Sequence, residues 1–135
     1  APWLRIESTL GLAQLAAGET AAAQVTATRL LALLDAGQAR STWTWRTAHE
    51  IAALAAAGNG DLDAAQDRLA AALTALASAP SRVERAESAL RVAETLAILE
   101  RGDESRRAAQ QALSDLAVQH PASPRLLQAR RLAGA

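Results

Sequence analysis

The chain contains no cysteine, methionine, phenylalanine or tyrosine, and its only aromatic residues are three tryptophans. Without cysteine it can form no disulfide, no thiolate nucleophile and no zinc–thiolate site, so the redox compartment is left open. No apolar run approaches the roughly 18 residues that a membrane-spanning helix needs. A disulfide scaffold is excluded, and we expect no membrane partner.

Charge of either sign is not in excess. The 14 basic residues, all arginine, balance 14 acidic residues, so the formal net charge is zero and no global field draws the chain to nucleic acid. The last third is mildly basic, but it lacks interleaved aromatic residues and a recognition-helix motif. We expect a solvated face there and no direct nucleic-acid partner.

The chain begins with neither a methionine nor a signal-peptide pattern, which favours a segment of a longer, cytoplasmic protein. Its 135 residues fit a single domain. Half of the residues are hydrophobic, and most of these are alanine and leucine. Because alanine is the strongest helix former and its small side chain lets helices approach closely, the composition predicts an all-α fold.

Glycine, proline and capping residues divide the chain into helices. Gly18 and Gly102 are predicted to turn the chain, and Asp61 and Asp103 to cap the helices that follow. Ser41 is a further candidate cap, and Pro80 and His120-Pro121 are predicted helix ends. Ser81 and Glu84 have capping-box spacing. The predicted helices cover about 2–17, 19–35, 41–57, 62–78, 81–101, 103–120 and 123 onward.

The predicted helices repeat at a regular interval, with a period of about 42. Gly18, Gly60 and Gly102 are equally spaced at this period, and Trp3 and Trp45 are separated by the same interval. Agreement at several residue types indicates an internal repeat, although a one-residue slip is implied in the third unit. The units cover about 1–40, 41–80 and 81–122, and 123–135 is a partial fourth unit or a capping helix.

The hairpin turns carry a family resemblance. Leu15-Ala16-Ala17-Gly18 leading to Ala23, and Gly60-Asp61-Leu62-Asp63-Ala64-Ala65, resemble tetratricopeptide repeats where their two helices meet. The resemblance implies a right-handed α-solenoid of three antiparallel helix–turn–helix repeats plus a C-terminal helix. The period is longer than the roughly 34 residues that are usual in that family. Alanine and leucine replace the family's aromatic residues, and Arg107 stands where its alanine is expected.

Long repeats rich in alanine, leucine and arginine look most like the tetratricopeptide-like regions of large bacterial transcriptional regulators. The resemblance implies a non-catalytic module for protein–protein interaction or ligand sensing within such a transcriptional or signalling regulator. It implies a protein or peptide partner and no cofactor.

Catalytic motifs are incomplete. His49-Glu50 begins like a zinc-protease helix, but Ala53 takes the place of the second histidine. The sequence from Asp61 to Ala72 starts like a calcium loop but lacks its glycine and its final glutamate. We therefore expect no metal site and no enzyme. An enzyme of unfamiliar type would need a pocket with converging polar groups and a perturbed titratable residue.

Equivalent positions of the first helices separate a core from a variable face. The sets Ile6/Ala48/Leu90 and Ala13/Ala55/Ala97 stay apolar and are predicted to face the core. In tetratricopeptide superhelices the first helices line a concave groove. By that resemblance the variable face is the candidate partner-binding groove, formed by Trp3, Glu7, Trp45, Arg46, His49, Glu87, Ser88 and Arg91.

Two alternatives stay open. Trp3 and Trp45 could instead pack between adjacent units, with Glu87 and Arg91 as a solvent-exposed pair one turn apart. The segment could also be an oligomerisation or assembly module whose open C-terminal end stacks on a missing repeat or on a second copy. Terminal repeats need a polar cap, and the C-terminal end has an apolar side made by Leu126, Leu127 and Leu132.

Overall fold

The computed structural model describes residues 2–35, 43–77, 81–119 and 125–134. These residues form helices and their turns without any strand, which confirms the predicted all-α class. The helices are α1 (Pro2–Ala16), α2 (Thr20–Asp35), α3 (Trp43–Gly58), α4 (Leu62–Leu76), α5 (Arg82–Ile98), α6 (Gly102–Gln119) and α7 (Arg125–Ala133). Within the described ranges no helix is long and apolar enough to cross a bilayer.

Two predicted helix caps are present. Asp61 accepts a hydrogen bond from the backbone N–H of Ala64 at the start of α4, and Ser81 accepts one from Glu84 at the start of α5. Such caps satisfy backbone donors that have no partner inside the helix. The predicted cap at Ser41 and the predicted helix ends at Pro80 and His120-Pro121 lie outside the described residues.

Each helix packs on its neighbours in sequence, and the odd-numbered helices also form a row in which α1 contacts α3, α3 contacts α5, and α5 contacts α7. Within the described residues no helix contacts another that is more than two places away. Small residues permit close approach between α1 and α3. A Cβ atom at Gly11 would lie 3.0 Å from the Cδ1 atom of Ile51.

The core is a series of buried clusters. One joins α1, α2 and α3 around Leu4, Leu30 and Ile51, and another joins α5, α6 and α7 around Leu90 and Leu116. A smaller cluster of α3, α4 and α5 residues lies between them. Alanines fill much of the remaining contact surface, as the composition predicts.

The hairpin turns after α1, α3 and α5 share one hydrogen-bond pattern. In the first, the N–H of Gly18 donates to the Leu15 carbonyl, and the N–H of Glu19 donates to the Gln14 carbonyl. The same two bonds recur in the second turn, where the N–H groups of Gly60 and Asp61 are the donors. This pair of bonds ends a helix with a left-handed residue, and Gly18 and Gly60 have φ of 77° and 80°.

The third turn corrects the predicted register. Its left-handed residue is Glu100, with φ of 60°, which lies two positions before the glycine that the repeat spacing selects. Gly102 is therefore the first residue of α6, and Asp103 lies in its first turn and is not its cap. Ser105, rather than Arg107, takes the position of Ala23 and Ala65, and it too is buried.

The predicted core face holds only in part. Ala48, Ala55 and Leu90 are buried, whereas Ile6 is 68% exposed, and Ala13 is exposed as well. Within the described residues α1 packs on α2 and α3 alone, so its remaining face is uncovered.

The shift in register also explains the exposure of Ala97. Thr95 lies as many residues before the left-handed Glu100 as Ala55 lies before the left-handed Gly60. The equivalent of Ala55 in the third turn is therefore Thr95 and not Ala97. Thr95 and Ala55 are both buried. The position before the third turn is therefore buried like Ala55, but a different residue type occupies it.

Candidate functional site

A cavity of about 390 Å³ opens between helices of the odd-numbered row. Its volume falls within the range of small-ligand sites, roughly 300–1,000 Å³. Residues from α1, α3, α5 and α7 line it, so helices far apart in sequence meet at one place. The lining residues are Leu12, Leu15, Ala16, Leu54, Arg91, Glu94, Arg125 and Gln128.

One side of the cavity is apolar. Leu15 and Ala16 lie three and four residues after Leu12 on α1, a spacing that places both beside Leu12 on one helix face. Leu54 of α3 also lines this side. Leu12 and Leu15 are partly buried against the cluster of α1, α2 and α3. Their positions are therefore fixed by packing on one side, while the other side faces the cavity.

The other side of the cavity is polar. Arg91 and Glu94 lie one turn apart on α5, and Arg125 and Gln128 lie one turn apart on α7. The Gln128 side-chain amide donates a hydrogen bond to the Glu94 Oε1 atom, which connects the two helices at the cavity wall.

Arg91 is held by a buried ion pair with Glu50 of α3. Its Nε atom donates to the Glu50 Oε1 atom at 2.6 Å, and the two side chains are 5% and 0% exposed, respectively. The Glu50 Oε2 atom is buried and has no hydrogen-bond partner among the described residues. The pair keeps the Arg91 guanidinium at a defined place beside the cavity.

Glu94 has a perturbed carboxyl group. Burial raises its pKa above the usual value, because removal from water disfavours the charged form. The hydrogen bond from Gln128 opposes this shift, as do the positive charges of Arg125, Arg91 and Arg131. Burial outweighs these contributions, so the carboxylate is less stable here than in water.

Several of the predicted groove residues lie within the helix packing. Arg46 is buried and donates to the Glu84 Oε1 atom at 3.2 Å, which gives a second ion pair between α3 and α5. Ser88 is buried. The Trp45 and His49 rings lie 4.1 Å apart between centroids, with Trp45 packed against the cluster of α1, α2 and α3.

The remaining predicted residues are spread over the surface. Trp3 is half-exposed on α1, and Glu7 pairs with Arg29 of α2 at 2.6 Å. Glu87 is partly buried. Of the eight predicted groove residues, Arg91 lines the cavity and the other seven are not among its lining residues.

The apolar C-terminal side has a different arrangement from the one the sequence suggested. Leu126 is buried and Leu132 packs partly buried against the α5, α6 and α7 cluster, whereas Leu127 is 71% exposed. Within the described residues, two of these three leucines therefore contribute to the core.

The sequence pattern did not single out Glu94, Arg125 or Gln128 as site residues. A usable signal was present on α5, where Arg91 and Glu94 put two charges one turn apart on a helix rich in buried alanine and leucine. For α7 the sequence offered no comparable signal.

Comparison of the chain with protein-family models, with curated proteins and with solved structures gave no match.

Proposed function

We propose that the chain is a tetratricopeptide-like module, a right-handed α-solenoid of three hairpins and a terminal helix. Three observations support the proposal. Helix contacts within the described residues reach no further than two places along the chain. The three hairpin turns use the same hydrogen bonds, and a small buried residue follows each turn, at Ala23, Ala65 and Ser105. Solenoid proteins are built from such nearest-neighbour contacts.

The module's function is to bind a peptide or small ligand in the cavity, without catalysis. The observation that carries this proposal is the convergence of α1, α3, α5 and α7 on one cavity with an apolar and a polar side. Pockets of this kind recognise ligands because apolar walls supply contact area and a few polar groups fix orientation. By resemblance, the module belongs to a larger cytoplasmic bacterial regulator of transcription or signalling.

Selection from a displayed library of random peptides tests this function. The wild-type chain is the target, and Ala16→Trp is the matched variant, since this residue lines the cavity and a tryptophan side chain would fill it. Ala70→Trp is the control, because Ala70 is an exposed alanine of α4. We expect selected peptides to bind wild type and the control at least tenfold more tightly than Ala16→Trp. Peptides that bind all three proteins equally would contradict a cavity site.

Assembly is a second candidate function, and an exposed apolar stripe on α1 favours it. Trp3, Ile6 and Leu10 are exposed one turn apart on α1. In the second unit the equivalent residues, Trp45, Ala48 and Ala52, pack against the preceding hairpin. The α1 stripe thus continues the series of interfaces along the odd-numbered row, and a second copy of the chain is the proposed occupant.

Sedimentation velocity distinguishes this candidate from a monomeric binding module. We expect an assembling wild type to sediment as a dimer or larger species at high concentration, and Ile6→Glu with Leu10→Glu to sediment as a monomer. A wild type that stays monomeric at every concentration rules out assembly and leaves the cavity proposal intact.

A further inference from the structure

Arg91 is an anchored donor at the cavity wall. Its Nε–H is used by Glu50, and its side chain is 5% exposed. A guanidinium has five N–H donors, and the four on the Nη atoms have no acceptor among the described residues, although Arg91 lines the cavity. An oriented guanidinium that borders a cavity can donate its Nη hydrogen bonds to a bound ligand.

The chemistry of this donor favours a carboxylate. The two Nη groups of a guanidinium form a planar fork that matches the two oxygens of a carboxylate, and such charge-assisted bonds are among the strongest in proteins. Positive charge lies close to this part of the cavity, because Arg91, Arg125 and Arg131 all act electrostatically on Glu94.

Glu94 does not block such a ligand. One of its oxygens accepts the Gln128 hydrogen bond, so part of the carboxyl group is directed to α7. Burial also disfavours its charged form and raises its pKa, which lowers the repulsion that a bound anion would meet.

The opposite wall defines the rest of the ligand. Leu12, Leu15 and Leu54 offer apolar surface across from the polar residues of α5 and α7. A ligand that satisfies both sides has an anionic head and an apolar body.

We infer that the cavity binds a carboxylate joined to an apolar body, with the carboxylate on the Nη groups of Arg91 and the body against Leu12, Leu15 and Leu54. The inference deepens the proposed function and rests on it. Two kinds of ligand combine a carboxylate with an apolar body: a free aliphatic acid, and a peptide whose C-terminal residues are apolar.

Calorimetric titration of the wild-type chain separates the contributions of head and body. The probes are octanoate, octanol, octylamine and acetate, together with the peptide Ala-Ala-Leu-Leu carrying either a free or an amidated C-terminus. We expect octanoate to bind at least tenfold more tightly than octanol, octylamine or acetate if free acids are the source. For a peptide source, the free C-terminus should be preferred over the amide by the same factor.

Two variants locate the binding. Glu50→Gln with Arg91→Gln replaces the ion pair by two amides that can still hydrogen-bond, so the helix contact is kept without the charge. We expect it to bind the acid no more tightly than the alcohol. Ala16→Trp should weaken every probe at least tenfold, whereas Ala70→Trp should change none. Circular dichroism and melting curves verify that each variant is folded.

The outcomes distinguish the inference from the proposed function. Equal affinity of wild type for octanoate and octanol, or for free and amidated peptide, overturns the carboxylate preference while the cavity site stands. No binding by any probe overturns the inference, and the peptide selection still decides the proposed function. Acid binding that survives both Ala16→Trp and the double glutamine variant overturns the location at the cavity.

Discussion

At Arg91 a single guanidinium connects two helices and also lines the cavity. Its Nε atom donates to the Glu50 Oε1 atom of α3 at 2.6 Å, and both side chains of the pair are buried. Taking two charges out of water is costly, so such a pair adds little net stability, but removal of one partner leaves an uncompensated buried charge. The stability of the fold and the chemistry of the cavity are therefore coupled at this residue.

We expect Arg91→Met to lower the free energy of unfolding by about 3–5 kcal/mol, because Glu50 would be left buried without its cation. The double variant Glu50→Leu with Arg91→Met should recover most of that loss, since neither charge remains. Urea denaturation of wild type, both single variants and the double variant gives the coupling energy. A single-variant loss below about 1 kcal/mol would show that the pair is solvated and not buried as described.

Glu94 gives a prediction with a pH dependence. Its folded-state pKa is raised above the usual 4.5 by burial. The protonated form therefore contributes stability that is complete below pH 4.5 and is lost as the pH rises through the folded-state pKa. We expect Glu94→Gln to melt at a higher temperature than wild type at pH 7, with a difference that shrinks toward pH 4.

Glu104 provides a control of opposite sign. A hydrogen bond from Arg101 lowers its pKa, so its charged form contributes stability above the usual pKa that is lost as the pH falls. Melting curves of Glu104→Gln should therefore show a loss at pH 7, where Glu94→Gln shows a gain. A Glu94→Gln variant less stable than wild type at pH 7 would contradict the assigned burial of the carboxyl group.

At the scale of single residues, the sequence pattern predicted Arg91 as a site residue but did not predict which residue it pairs with. The comparison of repeat units identified variable polar residues on the first helices, among them Arg46, Ser88 and Arg91. It could not tell an exposed polar residue from a buried one whose partner lies on another helix. Glu84 of α5 is the partner of Arg46, and Glu50 of α3 is the partner of Arg91. This pairing depends on the packing of α3 on α5, which no local pattern encodes.

At the scale of the elements, the three hairpin turns differ in one residue that matters energetically. Gly18 and Gly60 adopt the left-handed conformation without penalty, whereas Glu100 adopts it with a Cβ atom that crowds the backbone. The backbone of the third turn is therefore strained, whereas the first two turns have the same hydrogen bonds without that strain.

We expect Glu100→Gly to raise the free energy of unfolding by about 1 kcal/mol, because the side chain that causes the strain is removed. Glu100→Gln, which keeps a Cβ atom and loses the charge, is the matched control and should change stability little. Gly60→Ala should lower the free energy of unfolding by about 1 kcal/mol. Chemical denaturation measures all three, and a Glu100→Gly variant less stable than Glu100→Gln would contradict the left-handed turn.

The element boundaries were largely predictable, since caps and glycines are local signals. Asp61 and Ser81 cap their helices as predicted. The third turn was predicted wrongly because Gly102 stands at the spacing that Gly18 and Gly60 define, just beyond Glu100. A hydrogen-bond pattern can place a non-glycine residue in the left-handed conformation, and a search for glycine misses that case.

At the scale of the whole molecule, the all-α class and the order of the helices follow from composition and internal period, and both are visible in the sequence. The cavity is not visible there. Its walls come from four helices that span most of the chain, from Leu12 of α1 to Gln128 of α7. Assembly of such a site depends on helix packing across the whole row, so local periodicity carries little information about it.

Nuclear magnetic resonance titration of the ¹⁵N-labelled wild-type chain with a display-selected peptide tests most directly whether the cavity is the binding site. Amide shift changes should cluster at 12–16 of α1, around Leu54, at 91–94 of α5 and at 125–128 of α7. The same titration of Ala16→Trp should leave these amides unshifted. Shift changes confined to α2, α4 and α6, with the cavity amides unmoved, would contradict binding in the cavity.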